Sequence, residues 1–230
     1  MRLIVISFSF FLFTSFILTC SPKPKKPFPF GSSIESKKVD TTGDGKIDTQ
    51  GYYMNDAGNY RLLYNEVDRN LDGFSDFMLW VGSSTSQKQE GQVKEVVKVH
   101  EEEDDDYDGK VDTLRWYLPN DLIALTQNDD DKDGYFETTI YYNFKKLPIR
   151  TEVDTNSDGR ADKIIWNTRA EIDTDFDGFP DSYLEAPTKV KLLSNIDRKI
   201  DIKPLEKSKS WFLNPSLIPV DYKAIIGSGY

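Results

Sequence analysis

The chain offers almost no redox or transition-metal chemistry. Its 230 residues include one cysteine, Cys20, and one histidine, His100. A lone thiol forms no internal disulfide, and one thiol with one imidazole cannot build the Cys/His sets that hold zinc. No Cys/His or Ser/His catalytic arrangement suggests itself. His100 lies in a Lys-Val-His-Glu-Glu stretch beside an acidic run, and the expectation is a surface residue. No Gly-rich phosphate loop occurs. Apolar residues make up 38% of the chain, and that includes the apolar run Leu3–Leu18, so the folded part has material for a thin core only. Positive charge is short as well: the formal net charge is −10. Outside residues 21–33 there is no basic patch, which argues against nucleic acid as a partner. The many carboxylates leave a glycosidase pair conceivable, but nearly all the clustered ones belong to the pattern described next. The expectation is a protein that is not an enzyme.

What the sequence has in abundance is one short acidic loop, six times over. Each copy has the form Asp-x-(Asp/Asn/Thr)-x-Asp-Gly-x-x-(Asp/Glu). They are, as loops 1 to 6, DTTGDGKID from Asp40, DRNLDGFSD from Asp68, DDDYDGKVD from Asp104, DDDKDGYFE from Asp129, DTNSDGRAD from Asp154 and DTDFDGFPD from Asp173. Oxygen side chains stand at positions 1, 3, 5 and 9. They are Asp40, Thr42, Asp44 and Asp48; Asp68, Asn70, Asp72 and Asp76; Asp104, Asp106, Asp108 and Asp112; Asp129, Asp131, Asp133 and Glu137; Asp154, Asn156, Asp158 and Asp162; and Asp173, Asp175, Asp177 and Asp181. Calcium takes six to eight oxygens, and a glycine at position 6 allows the sharp turn that wraps them round one centre. Asp-Gly is also an ordinary turn sequence. A turn alone, however, has no use for acids at positions 1, 5 and 9 together, which would repel one another without a cation. Up to six calcium ions are expected, with loop 1 the weakest site because Thr42 replaces an acid.

The charge follows the loops. Of 39 acidic residues, 21 stand at these oxygen positions, and the remaining 18 face 29 lysines and arginines. The negative charge is therefore a property of the loops, and an empty chain should be held open by self-repulsion that metal relieves.

Position 12, where a helix-loop-helix calcium site places a bidentate Glu, is Gly51, Leu79, Arg115, Ile140, Ile165 and Leu184. The flanks (NYRLLYNEV and VKEVVKVHE before loops, DFMLWVG and DKIIWN after them) are rich in β-branched and aromatic residues. Such flanks favour strands. The loops resemble the calcium-binding β-hairpin loops of integrin α-chain propellers and related FG-GAP repeats, and share their Asp-x-Asp-x-Asp-Gly core with EF-hands, dockerins and thrombospondin type 3 repeats. The resemblance implies a further ligand, the position 7 carbonyl of Lys46, Phe74, Lys110, Tyr135, Arg160 and Phe179. The propeller signature Phe-Gly-x-x-Gly-Ala-Pro is absent from the sequence.

At the start, Met1-Arg2, an apolar run and then Ile17-Leu18-Thr19-Cys20 have the layout of an export signal. A sole cysteine at the end of such a run resembles a bacterial lipobox, in the relaxed form of spirochaetal lipoproteins. This implies a signal peptide over 1–19, lipid on Cys20 and attachment to a bacterial envelope, the outer membrane if Ser21 is read by Gram-negative sorting rules. Plain secretion is the alternative. Residues 20–33, with SPKPKKPFPFGSS, should form an extended tether.

Residues 34–186 are expected to be all-β: repeated antiparallel hairpins in a meander of about twelve short strands, with the calcium loops along one edge. The loops begin 28, 36, 25, 25 and 19 residues apart. Whether the sheet stays open or closes as a barrel or propeller is not decided by the sequence. Trp80, Trp116 and Trp166, with Tyr142, are expected to stack as core rather than form a glycan platform. In 187–230, TKVKLL and RKIDIKP suggest edge strands and SWFLNPSLIPVDY a cap. The functional expectation is a lipid-anchored calcium-binding module that presents a surface to a protein or glycan. The alternative is a structural envelope lipoprotein with calcium as its sole ligand. The sequence does not indicate an oligomeric state.

Overall fold

The computed structural model describes residues 34–56, 59–83, 96–119 and 121–219, all within the unit Ser33–Tyr230. Residues 1–33, with the expected signal peptide, Cys20 and the expected tether, lie outside the described residues. Thirteen strands form one antiparallel sheet in strict chain order. They are β1 (Ile34–Val39), β2 (Thr49–Asp56), β3 (Asn59–Val67), β4 (Phe77–Ser83), β5 (Val96–Glu103), β6 (Thr113–Tyr117), β7 (Ile123–Asn128), β8 (Thr138–Tyr142), β9 (Pro148–Val153), β10 (Lys163–Trp166), β11 (Arg169–Ile172), β12 (Ser182–Glu185) and β13 (Lys203–Pro204). The meander expected from the sequence is what forms. It does not close: among the described residues β1 and β13 are its two edges.

Register makes the repeat visible. The residue four past each loop's position 9 falls in one row across the sheet, running Tyr52, Tyr64, Trp80, His100, Trp116, Leu125, Tyr141, Arg150, Trp166, Arg169 and Glu185 through consecutive strand pairs. Just beyond this row the register shifts in four hairpins, between Tyr52/Tyr53, Trp80/Val81, Trp116/Tyr117 and Tyr141/Tyr142. A bulge at the same place in each of these four hairpins adds local twist. Tyr141, and not the expected Tyr142, belongs to the row, because it stands four past Glu137 on the loop side of the bulge.

Covering of the sheet is uneven. From β2 to β8 most residues on both faces are half-buried, as in a single layer. Over the last strands both faces are covered. On one, the helix α1 (Lys189–Asp197) packs Leu192 against Ile165, Ala170, Ile172 and Leu184. On the other, Trp211, Phe212 and Ile218 pack on Ile164 and Trp166. These three residues belong to the segment SWFLNPSLIPVDY. The expected edge strand at TKVKLL is instead this helix. Thr188 caps it by accepting from the Lys191 amide at 3.2 Å, which satisfies one orphan donor of the first turn. Of RKIDIKP, only Lys203–Pro204 pairs as a strand.

Candidate metal centres

Each acidic loop joins an odd strand to the next even one, so the meander places all six on one edge of the sheet. Strands about 4.8 Å apart put successive loops about 10 Å apart.

All six share one backbone form. Position 6 has a φ of +89, +95, +87, +97, +90 and +87° at Gly45, Gly73, Gly109, Gly134, Gly159 and Gly178. Position 4 is left-handed too, in five cases with a side chain: Leu71, Tyr107, Lys132, Ser157 and Phe176, besides Gly43. Two left-handed residues turn the amides inward. The glycine amide donates to the position 1 carboxylate at 2.7–2.9 Å in every loop. The position 7 amide donates to position 5 at 2.8–2.9 Å. Position 9 reaches back to accept from the position 2 amide, as Asp76 does from Arg69 at 2.6 Å and Asp112 from Asp105 at 2.7 Å. A carboxylate oxygen that accepts one N–H retains capacity for a cation.

The loops are also tied to one another. The position 1 amide of each later loop donates to the position 9 carbonyl of the loop before it, from Asp68 to Asp48 through Asp173 to Asp162, at 2.8–2.9 Å. After loop 6 the Leu205 amide takes that place on Asp181 at 2.6 Å and ends the row.

Carboxylate convergence differs between loops. In loop 4 the ligand oxygens of Asp129, Asp131, Asp133 and Glu137 lie within 4.8 Å of one another. In loop 3 Asp104, Asp106 and Asp108 do so, and in loop 6 Asp173, Asp175 and Asp181. These all-oxygen clusters can hold a hard cation. Asp112 and Asp177 stand outside those groups; Asp112 is paired with Lys132. Among the described residues, the three acids of loops 1, 2 and 5 are not drawn together so tightly. In loops 2 and 5 the position 3 amide occupies the middle instead: Asn70 and Asn156 donate to Asp72 and Asp158 at 2.9 and 3.2 Å.

Two buried oxygens test the fit of a cation. Asp173 is 2% exposed, yet its Oδ1 accepts no hydrogen bond, and Glu137 Oε1 is likewise buried without one. An unmet buried acceptor costs about 1–3 kcal/mol, more when charged. Both belong to ligand positions, where a cation would satisfy them.

The electrostatics are those of crowded acids held by N–H groups. At Asp48, burial works upward, but the hydroxyls of Thr49 and Thr41 and the amides of Thr41 and Thr42 hold the carboxyl far below the usual range. At Asp112, burial is outweighed by the Lys132 ammonium and the Asp105 amide, and its acidity increases. Asp181 is lowered against burial by Ser182 and Thr174. Asp175 goes the other way, raised by burial and by Asp177 and Asp173 beside it.

The aromatic row lies on the sheet face, away from the loops. Ring centroids are 5.5 Å apart for Tyr52–Tyr64, 4.6 Å for Tyr64–Trp80, 5.1 Å for Trp80–His100 and 3.9 Å for His100–Trp116. His100 is thus not the surface residue expected. It is 8% exposed between two indoles, with Nδ1 3.0 Å from the Arg115 carbonyl and Nε2 3.2 Å from Glu102. Sequence reasoning missed Tyr52, Tyr64 and Tyr141 as members of this row; the constant offset of four from position 9 finds Tyr52 and Tyr141.

No known protein-family model matches the chain, and no curated protein matches it. Among solved structures it is similar to TarM, with 12% identity and a TM-score of 0.33 over 57% of this chain and 21% of that one. The chain thus spans about a fifth of that relative, and a likeness of this size carries no argument.

Proposed function

We propose that this chain is a calcium-binding repeat module, anchored through lipid on Cys20 to a bacterial envelope, which displays a calcium-stiffened β surface to a protein or glycan ligand. The observation that carries the calcium reading is the repetition of one loop geometry six times, with oxygen donors at fixed positions and buried ligand oxygens, Asp173 Oδ1 and Glu137 Oε1, lacking any other partner. The donors are oxygens, which suit calcium and magnesium; magnesium demands near-ideal octahedra and retains its waters, whereas calcium accepts crowded, irregular carboxylate sets. Without a bidentate Glu at position 12, affinities on the order of 10⁻⁴–10⁻³ M are expected, those of extracellular modules. That agrees with an exported, anchored chain. Such sites fill wherever calcium is millimolar, so any sensor role would act through folding itself.

A second reading, a structural envelope lipoprotein with calcium as its sole ligand, is favoured by the aromatic row. Tyr64 and His100 are buried between neighbouring rings and leave no face for stacking a sugar, whereas Trp116, at the end of these contacts, is 42% exposed. The two readings share their first test. Equilibrium dialysis of the purified chain against millimolar calcium, with magnesium in excess, is expected to find several ions per chain; none or one would overturn both. Protease shaving of intact cells and a calcium-dependent pull-down then separate them. Exposure with a partner supports display, and shielding without one supports the structural role. Loss of lipid labelling and of membrane association in Cys20→Ser tests the anchor.

A further inference from the structure

Loops 3 and 4 exchange lysines. Lys110, at position 7 of loop 3, reaches over loop 4 and donates to the carbonyls of Lys132 and Asp133 at 3.3 and 3.2 Å. Lys132, at position 4 of loop 4, reaches back and pairs with Asp112, the position 9 carboxylate of loop 3. Asp112 is buried, while the lysine is partly exposed. Lys132 is the sole cation at position 4; the others are Gly43, Leu71, Tyr107, Ser157 and Phe176. Its left-handed backbone, φ +70°, is held by its own amide, which donates to Asp129 Oδ1 at 2.7 Å, and so its stem is aimed from a fixed base. Loop 4's own position 9 residue has no such partner: Glu137 Oε1 accepts no hydrogen bond. The two neighbouring sites therefore differ in their charge partners as well as in their acids: loop 3 has the Lys132 ammonium seated on Asp112 and that of Lys110 3.9 Å from Asp108, whereas in loop 4 all four acids converge.

We propose that Lys132 is a tethered competitor of the ion at loop 3: its ammonium and the incoming cation contend for Asp112, so that loop 3 fills after loop 4, at a calcium level the lysine sets. The inference rests on the calcium reading above and adds an order of loading to it. The physical basis is simple. A divalent ion on Asp104, Asp106, Asp108 and Asp112 meets a positive charge within a few ångströms, and either the ammonium leaves or both share the carboxylate at an electrostatic cost. With the ion absent, the same ammonium relieves the mutual repulsion of these acids and keeps Asp112 in place.

The test follows single sites in the ¹⁵N-labelled full chain. The amides of Gly109 and Gly134 donate to the position 1 ligands of loops 3 and 4, and Gly73 reports on loop 2, which lies on the side of loop 3 away from loop 4. On addition of calcium chloride, Gly134 is expected to titrate at lower calcium than Gly109. In Lys132→Met, which keeps the aliphatic stem, the Gly109 midpoint should fall about tenfold while that of Gly73 stays, and in Lys132→Arg the Gly109 midpoint should remain close to that of the parent. A Gly109 midpoint unchanged or raised in Lys132→Met, with the other glycines still responding, would overturn the competitor role alone. An equal fall in Lys132→Arg would overturn it too, by separating the effect from charge. If no loop glycine of the parent chain responds to calcium, the calcium reading fails and the inference fails with it.

Discussion

At position 6 of each acidic loop the backbone enters a region that only glycine occupies without strain. Gly109 isolates that effect, since a Cβ there would meet nothing within 4 Å. Gly109→Ala should therefore cost about 1–2 kcal/mol through backbone strain alone, read as a lowered denaturant midpoint in chelator and in calcium alike. An unchanged midpoint would mean that the turn is not held as described. The carboxylates make a prediction of their own. Asp48, Asp112 and Asp181 are more acidic folded than unfolded, so the stability they contribute is fully present above the unfolded value, about 3.9, and is lost as pH falls through their lower folded values. Asp175, raised, works in the opposite sense but is one group against three. In chelator, stability should hold from neutral pH to about 4 and decline below it. A chain that gains stability on acidification from pH 5 to 3 would contradict this.

At the scale of elements, the part legible in the sequence was the part written locally. Acids, glycine and strand-forming flanks all lie within one hairpin, so the loops, their shared edge and the meander were readable. Cross-strand neighbours were not. His100 meets Trp116 because of register and the bulge beside it, and nothing within Lys-Val-His-Glu-Glu announces an indole on either side. Helix α1 was hidden because Val190 and its short, lysine-rich span look strand-like, while the features that decide it are the Thr188 cap and the burial of Leu192 on the sheet. The latch of the C-terminal segment was also out of sight. Glu171, fully buried, accepts from Arg169 Nη2 at 2.8 Å, Ser210 Oγ at 2.6 Å and the Trp211 amide at 2.7 Å. Arg169 in turn lies over the Trp211 ring, 4.6 Å from its centroid. Breaking one partner of a buried pair costs about 3–5 kcal/mol. Glu171→Gln is expected to destabilise the chain on that order and to open the segment to chymotrypsin at Trp211 or Phe212. Unaltered melting and no new cleavage would show that the latch is incidental.

For the whole molecule, the two apolar clusters sit at one end, over β10 to β12, and the strands from β2 to β8 rely on stacked rings and on the loops that close their hairpins. Regions with few buried apolar contacts open at low free energy. In chelator, amides of β2 to β8 should exchange before those of β10 to β12, and calcium should narrow the gap; uniform exchange along the sheet would contradict this division. The stabilisation at stake is large. A site filled at ten times its Kd adds about 1.4 kcal/mol, so several together approach the total stability of an ordinary domain, about 5–15 kcal/mol. The measurement that tests the central claim most directly is thermal unfolding of the full chain in chelator and in calcium about tenfold above Kd. Several calcium-filled loops predict a melting temperature higher by upwards of about 10 °C in calcium, with magnesium a poor substitute. The same melting temperature in both would mean that six acidic loops are turns and nothing more.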